Sequence, residues 1–276
     1  MKRRMRFLLV GPTGSGKTTL AGTAPGTKLF LDYSAQVEAS FPLHRFGKDV
    51  FFEVLTDPIP DDTLQPSQYS PEAWPRHIEI MRSIAKGEPP TLTMMGEQVK
   101  MPKLPDIVII DELTAWQEAL KFHRRYEREM MFKNMAVGDL GRIMDIMYAH
   151  INQAKRIPCH FMVIAHEGPV RDEMTGKQKS EVVIIGKNRG NSLGGYFTEV
   201  WKLRPVQTIT KEGLSTTKRI LQLASKGDDF AKTKLKGMPQ SLFVELGKQT
   251  ITAMLNKSAA VEAEEEKPKS EEKKKE

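Results

Sequence analysis

The stretch "GPTGSGKTTL", Gly11–Leu20, follows the apolar run Phe7-Leu8-Leu9-Val10. Its spacing, Gly11-x4-Gly16-Lys17-Thr18, is that of a phosphate-binding loop. Glycine has no Cβ, so successive backbone N–H groups can turn inward around a phosphate. Lys17 would set a point charge on the β- and γ-phosphates, and the Thr18 hydroxyl would ligate Mg²⁺. The following "TTLAGTA" opens a helix whose N-terminal dipole favours anions. The nucleotide-contacting set is therefore Gly11, Pro12, Thr13, Gly14, Ser15, Gly16, Lys17, Thr18 and Thr19. The motif alone does not separate ATP from GTP.

A second half of such a site lies further along. "DIVIIDEL" is four apolar β-formers followed by Asp111 and Glu112, the pattern of a Walker B strand. Asp111 would hold the Mg²⁺ water shell with Thr18, and Glu112 would act as general base toward the attacking water. "HFMVIAHE" is another apolar strand, ending at His166. In open α/β sheets ligands sit beyond the carboxyl ends of strands, so His166 would face the γ-phosphate as a sensor. Glu167 is expected to face solvent.

The chain has 276 residues, 39% hydrophobic, a net charge of +7 and one cysteine, Cys159. One cysteine excludes an intrachain disulfide and a cysteine zinc cluster, which fits a reducing cytoplasm. The opening "MKRRMRFLLVGP" has too short an apolar core for a signal peptide, and no apolar run approaches a membrane span. The segment Val261–Glu276 holds seven Glu and five Lys, so the remainder carries a larger positive charge. That balance hints at a polyanionic partner.

Strand-like segments at Arg6–Val10, Lys28–Asp32, Val50–Leu55, Ile107–Asp111, His160–Ala165 and Glu199–Leu203 alternate with helical patterns at Lys17–Gly22, Pro71–Lys86 and Asp139–Lys155. Strands apolar on both faces and separated by helices imply a covered, mostly parallel sheet. Nine of 17 prolines fall between Pro58 and Pro105, which makes "GEPPTLTMMGEQVKMPKLP" a loop or short hairpin. Near the end, "TTKRILQLAS" reads as a strand and "PQSLFVELGKQTITAML" as a closing helix. One domain over 1–256 and a disordered, charged tail over 257–276 are expected.

Three stretches, "GPTGSGKTTLA", "GRIMDIMYAHINQAKRIPCHFMVIAHE" and "DDFAKTKLKGMPQSLF", together resemble the phage-encoded RecA-like ATPases of the AAA family. That group includes the short single-strand-annealing recombinases. The resemblance implies a RecA-like P-loop NTPase core, an α/β fold with a mostly parallel sheet flanked by helices. It also implies ATP and Mg²⁺ as ligands, ssDNA as partner, assembly into a filament or ring, and residence in the host cytoplasm. RecA-type proteins reach a neighbour's nucleotide with a Lys-x-Lys pair, and Lys232 and Lys234 occupy a matching place. There is one departure. Such cores carry their catalytic glutamate at the end of an earlier strand, where "FLDYSAQ" offers Asp32 and no Glu. Glu53 sits mid-strand, so the base falls to Glu112.

Two regions are candidates for DNA contact. In "WQEALKFHRRYEREMMFK", Trp116–Lys133, the cations Lys121, Arg124, Arg125 and Arg128 interleave with Phe122, Tyr126 and Phe132. Cations can track a nucleic-acid backbone while rings stack on bases. The glutamates at 118, 127 and 129 make this equally a surface helix with paired charges. The second region, "GPVRDEMTGKQKSE" and "GKNRGNSLGGYF", offers Arg171, Lys177, Lys179, Lys187 and Arg189 on a polar, glycine-rich loop. Two other functions remain open. One is a nucleotide-switched adaptor or loader that binds a helicase or single-strand-binding protein. The other is a P-loop phosphotransferase on a small substrate.

Overall fold

Six apolar strands line up in parallel, in the spatial order β9 (Glu199–Ile209), β1 (Arg6–Gly11), β7 (His160–Arg171), β6 (Ile107–Asp111), β2 (Lys28–Asp32) and β3 (Val50–Val54). The computed structural model describes residues 4–57, 70–129, 135–171, 178–184, 190–209, 215–225, 230–246, 248 and 250–265. β2 and β6 are buried at every position, and β1 at all but the first, so both faces of the sheet are covered. Antiparallel strands β10 (Ser215–Gln222) and β11 (Ser241–Val244) extend the sheet beyond β9, and β8 (Gln178–Val182) pairs with the far half of β7. A separate hairpin, β4 (Thr91–Met94) and β5 (Glu97–Lys100), fills the proline-rich region. The fold is an α/β core with a mostly parallel sheet flanked by helices, in which β7 lies between β1 and β6.

The helices are α1 (Lys17–Ala21), α2 (Val37–Ser40), α3 (Ala73–Ala85), α4 (Leu113–Glu127), α5 (Val137–Gln153), α6 (Gly190–Leu193) and α7 (Thr250–Glu265). α3, α4 and α5 pack together, as do α1, α2 and α7. No helix among the described residues is long and apolar enough to cross a membrane.

Two expectations are corrected. "SLFV" is the edge strand β11, since four residues of extended backbone complete a ladder with Arg219–Gln222; the closing helix starts only at Thr250. The charged tail does not begin at 257. α7 runs on to Glu265, with Ser258 buried and its hydroxyl accepting the Lys236 N–H at 2.9 Å. Residues 266–276 lie outside the described residues. Of the two alternatives left open for "WQEALKFHRRYE", the helix is what the structure shows: the stretch is part of α4, anchored in the core by Trp116, Ala119 and Leu120. Its amphipathic spacing, not its cations, decides its conformation.

A buried polar chain runs between α3, α4 and α5. The Tyr33 hydroxyl lies 2.8 Å from His77 Nδ1, and His77 Nε2 lies 2.7 Å from His150 Nε2, with Trp74 and Trp116 stacked on His77. Burial lowers both histidines, His150 to about 4 and His77 well below its ordinary value. The neutral pair therefore contributes its full stability above the unfolded value near 6.5, and that contribution is lost as pH falls from there toward 4. For His150 alone the loss amounts to about 3 kcal/mol. Between pH 7 and pH 5 the urea midpoint of the parent is expected to fall relative to that of a His77→Phe/His150→Leu double variant, since the raised Asp111 and Glu112 carboxyls, which act in the opposite sense in this window, are common to both. Equal slopes in the two proteins would refute this assignment. Asp49 and Asp106, both lowered, act only at more acidic pH.

Candidate nucleotide site

The parallel register brings the functional side chains to one edge. Gly11 pairs with His166 across β1–β7, and Asp32 with Asp111 across β2–β6. Four strands thus end, or turn outward, beside the loop at 11–19. Gly11 is required by close approach: a Cβ there would meet the Leu203 carbonyl oxygen at 2.3 Å. Gly16 is required by its φ of +92°, a left-handed conformation that side chains resist. Thr13 and Gly14 form the exposed tip, while Ser15 and Lys17 are buried. α1 has only five residues, so the loop's own N–H groups matter more than a long helix dipole.

Lys17 Nζ donates to the Gly11 and Pro12 carbonyls, each at 2.9 Å, and lies 3.2 Å from His166 Nδ1. Burial lowers its pKa to about 8, against the opposing pull of Glu112, Asp111 and Glu167. His166 Nε2 in turn lies 2.7 Å from Glu112 Oε2. Burial, reinforced by the Lys17 charge, lowers the His166 pKa and keeps the ring neutral. A neutral ring that accepts from Lys17 at Nδ1 carries its proton on Nε2, facing the carboxylate. His166 therefore bridges the phosphate-loop lysine and the carboxylate predicted as base.

Glu112 also caps α4, its Oε1 accepting the Ala115 N–H at 3.3 Å. Its Oε2 is buried and accepts no well-aligned hydrogen bond among the described residues. Burial raises its pKa. The carboxylate is thus held by the Ala115 N–H and turned toward the His166 ring, with its proton affinity raised by burial, which is what a general base needs. Glu53, the other candidate, is committed elsewhere: it pairs with Arg76 at 2.7 Å and accepts the Thr93 N–H at 2.6 Å.

The Thr18 hydroxyl donates to Asp111 Oδ2 at 2.6 Å. Asp111 is raised to about 7 by burial, with Asp32 and Glu112 adding to the shift. A buried carboxylate beside two others suits a divalent cation, and a hydroxyl already on it supplies a second oxygen. No cluster of three or more His, Cys, Asp or Glu side chains that could hold a metal ion occurs among the described residues. Mg²⁺ takes one or two protein oxygens and completes its shell with phosphates and water. Thr18 and Asp111 would hold it, and it would neutralise charge on the β- and γ-phosphates.

Other expectations meet different surroundings. β7 does not stop at His166; it continues to Arg171 and turns back as β8, and the His166 carbonyl accepts the Val183 N–H at 2.9 Å. Glu167 is not solvent-facing. Its side chain is 9% exposed, with Lys202 Nζ at 3.6 Å and Arg204 at 3.9 Å, both from β9. Arg171 lies in β7, while Lys187 and Arg189 fall outside the described residues. On α4, Lys121 pairs with Glu118, Arg124 with Glu127, and Arg128 with Asp139 of α5. Arg125 has no ion pair among the described residues. Lys232 and Lys234 flank a turn held by buried Glu199, which accepts the Thr233 hydroxyl and the Lys234 N–H. Glu199 opens β9 opposite Phe7, so this turn lies toward the end of the sheet away from the chain's own phosphate loop. Glu167, Lys202, Arg204 and Arg219 were missed as neighbours of the site, because only strand order brings them there.

The chain matches no protein-family model and no curated protein. Among solved structures it is similar to a KaiC-like protein from the hyperthermophilic archaeon Pyrococcus horikoshii, with 11% identity, 83% of each chain covered and a TM-score of 0.40.

Proposed function

We propose that this chain is a Mg²⁺-dependent ATPase that binds ssDNA, assembles as a homo-oligomer and promotes single-strand annealing in phage DNA metabolism. The observation behind this reading is the position of His166. Its ring lies between Lys17 and Glu112, and its backbone begins the segment that continues as the β7–β8 hairpin. A change in charge at the γ-phosphate would move the ring, and the hairpin would move with it. DNA contact is assigned to that hairpin and the segment after it, with Arg171, Lys187 and Arg189. The net charge of +7 supports a polyanionic partner. Lys232 and Lys234, set apart from the chain's own loop, are assigned to a neighbouring subunit's nucleotide.

The test is ATP hydrolysis with and without ssDNA at two salt concentrations, beside annealing of complementary strands. Stimulation of several-fold by ssDNA, weakened by salt, is expected. Hydrolysis indifferent to DNA would sink the DNA reading and leave a nucleotide-switched adaptor. One observation favours that second reading: three of the four candidate cations on α4 and its C-terminal turn are already neutralised by carboxylates.

A further inference from the structure

Ser15 is fully buried within the phosphate loop, and its carbonyl accepts a hydrogen bond from Arg219 Nε at 2.9 Å. The two residues are 204 positions apart. Arg219 sits on β10 opposite Pro205, and Pro205 lies three residues beyond Lys202, the last partner of β1 on β9. At this height β1 has ended, so a side chain two strands away can reach the loop over β9.

The contact has a geometric consequence. A trans peptide unit is planar, so its carbonyl and the following N–H point in opposite directions. With the Ser15 carbonyl held toward β10, the Gly16 N–H turns the other way, into the loop. That N–H donates to no acceptor among the described residues. Gly16 itself is a left-handed glycine without a side chain to restrain it. Leu246 packs close to Gly16, at 2.6 Å from where a Cβ would stand, but it offers no polar restraint. The flanking peptides are held by Ser15 N–H on the Pro12 carbonyl and Leu20 N–H on the Gly16 carbonyl, and on the Ser15–Gly16 peptide itself the guanidinium makes the one hydrogen bond among the described residues.

We propose that Arg219 is a positioning residue: by holding the Ser15–Gly16 peptide it presents the Gly16 N–H to the nucleotide's phosphates. This rests on the reading of residues 11–19 as the nucleotide site. It also ties β10, a strand of the antiparallel extension, to the occupancy of that site. Preorganised backbone donors lower the cost of ordering the loop around an anion.

The experiment measures dissociation constants of Mg–ATP and Mg–ADP by calorimetry for the full chain, Arg219→Ala, Arg219→Lys and Arg219→Gln, with Lys17→Ala as control. Arg219→Ala is expected to weaken both nucleotides about tenfold, since the bond is charge-assisted and both ligands meet the same peptide. Arg219→Lys should recover part of the loss, and millimolar ethylguanidinium should recover part of it in Arg219→Ala. The melting temperature without nucleotide should stay within about 2 °C of the parent. If Arg219→Ala does not fold, Arg219→Lys against Arg219→Gln gives the same comparison. Parent-like affinity in Arg219→Ala, or a loss that neither lysine nor ethylguanidinium relieves, overturns the proposal. A Lys17→Ala chain that binds as well as the parent, or a parent that binds neither nucleotide, refutes the nucleotide site itself, and that result is distinct from a failure of Arg219 alone.

Discussion

Glu112→Gln is expected to bind Mg–ATP within about threefold of the parent and to hydrolyse it roughly a thousandfold more slowly, the range of a lost general base. The substitution keeps shape and keeps the oxygen that caps α4 through the Ala115 N–H. What it removes is the proton acceptor at Oε2, the atom 2.7 Å from His166 Nε2. Asp111, Thr18 and Lys17 are untouched, so binding should survive. Single-turnover phosphate release, measured beside nucleotide binding, separates the two effects. Turnover above a tenth of the parent's would move the base to another group; Glu53, held by Arg76 and the Thr93 N–H, is not positioned for the task.

The second large effect is Lys17→Ala, for which nucleotide affinity should fall by about two orders of magnitude. Lys17 is buried and is the cation that His166 and the loop carbonyls hold in place. The same residue sets a pH dependence. Its pKa in the free chain is lowered to about 8 by burial, and phosphate requires the charged amine. Nucleotide affinity of the parent should therefore decline by about tenfold per unit as pH rises above 8, because binding takes up a proton. Lys17→Ala should show no such limb. A parent whose affinity is flat from pH 7 to 9.5 would mean that Lys17 stays charged throughout and that the burial argument is wrong.

The parallel strands were legible because each is a short apolar run bounded by polar or turn residues, and Ile107–Asp111 and Lys28–Asp32 match to the residue. The pairing of Thr18 with Asp111 followed from chemistry that local motifs encode. α4 was ambiguous for a physical reason. Interleaved cations and aromatics at helical spacing describe a nucleic-acid contact and a salt-bridged surface helix equally well, and the burial of Trp116 and Leu120 shows the helix without testing the contact. β11 is four residues long, and its extended conformation depends on a ladder with β10 that no local pattern announces. The roles of Glu167, Lys202 and Arg219 are non-local in the same sense. Each depends on β9 lying beside β1, a relation between segments some 190 residues apart.

That distance has a bearing on synthesis. β1, with the loop it leads into, is made well before either of its ladder partners, yet it occupies an interior position of the sheet between β7 and β9. The turn after α1 is tied to α7, with the Thr23 carbonyl accepting the Thr252 hydroxyl at 2.8 Å and the Thr23 hydroxyl accepting the Ile251 N–H at 3.1 Å. At about 5–20 residues per second, β1 waits roughly ten to forty seconds on the ribosome before both ladder partners exist. Through that interval an apolar strand and a glycine loop are available to any passing chain. A chaperone that binds exposed apolar strands would find its target in residues 6–11, and slow translation upstream of β7 would lengthen that exposure.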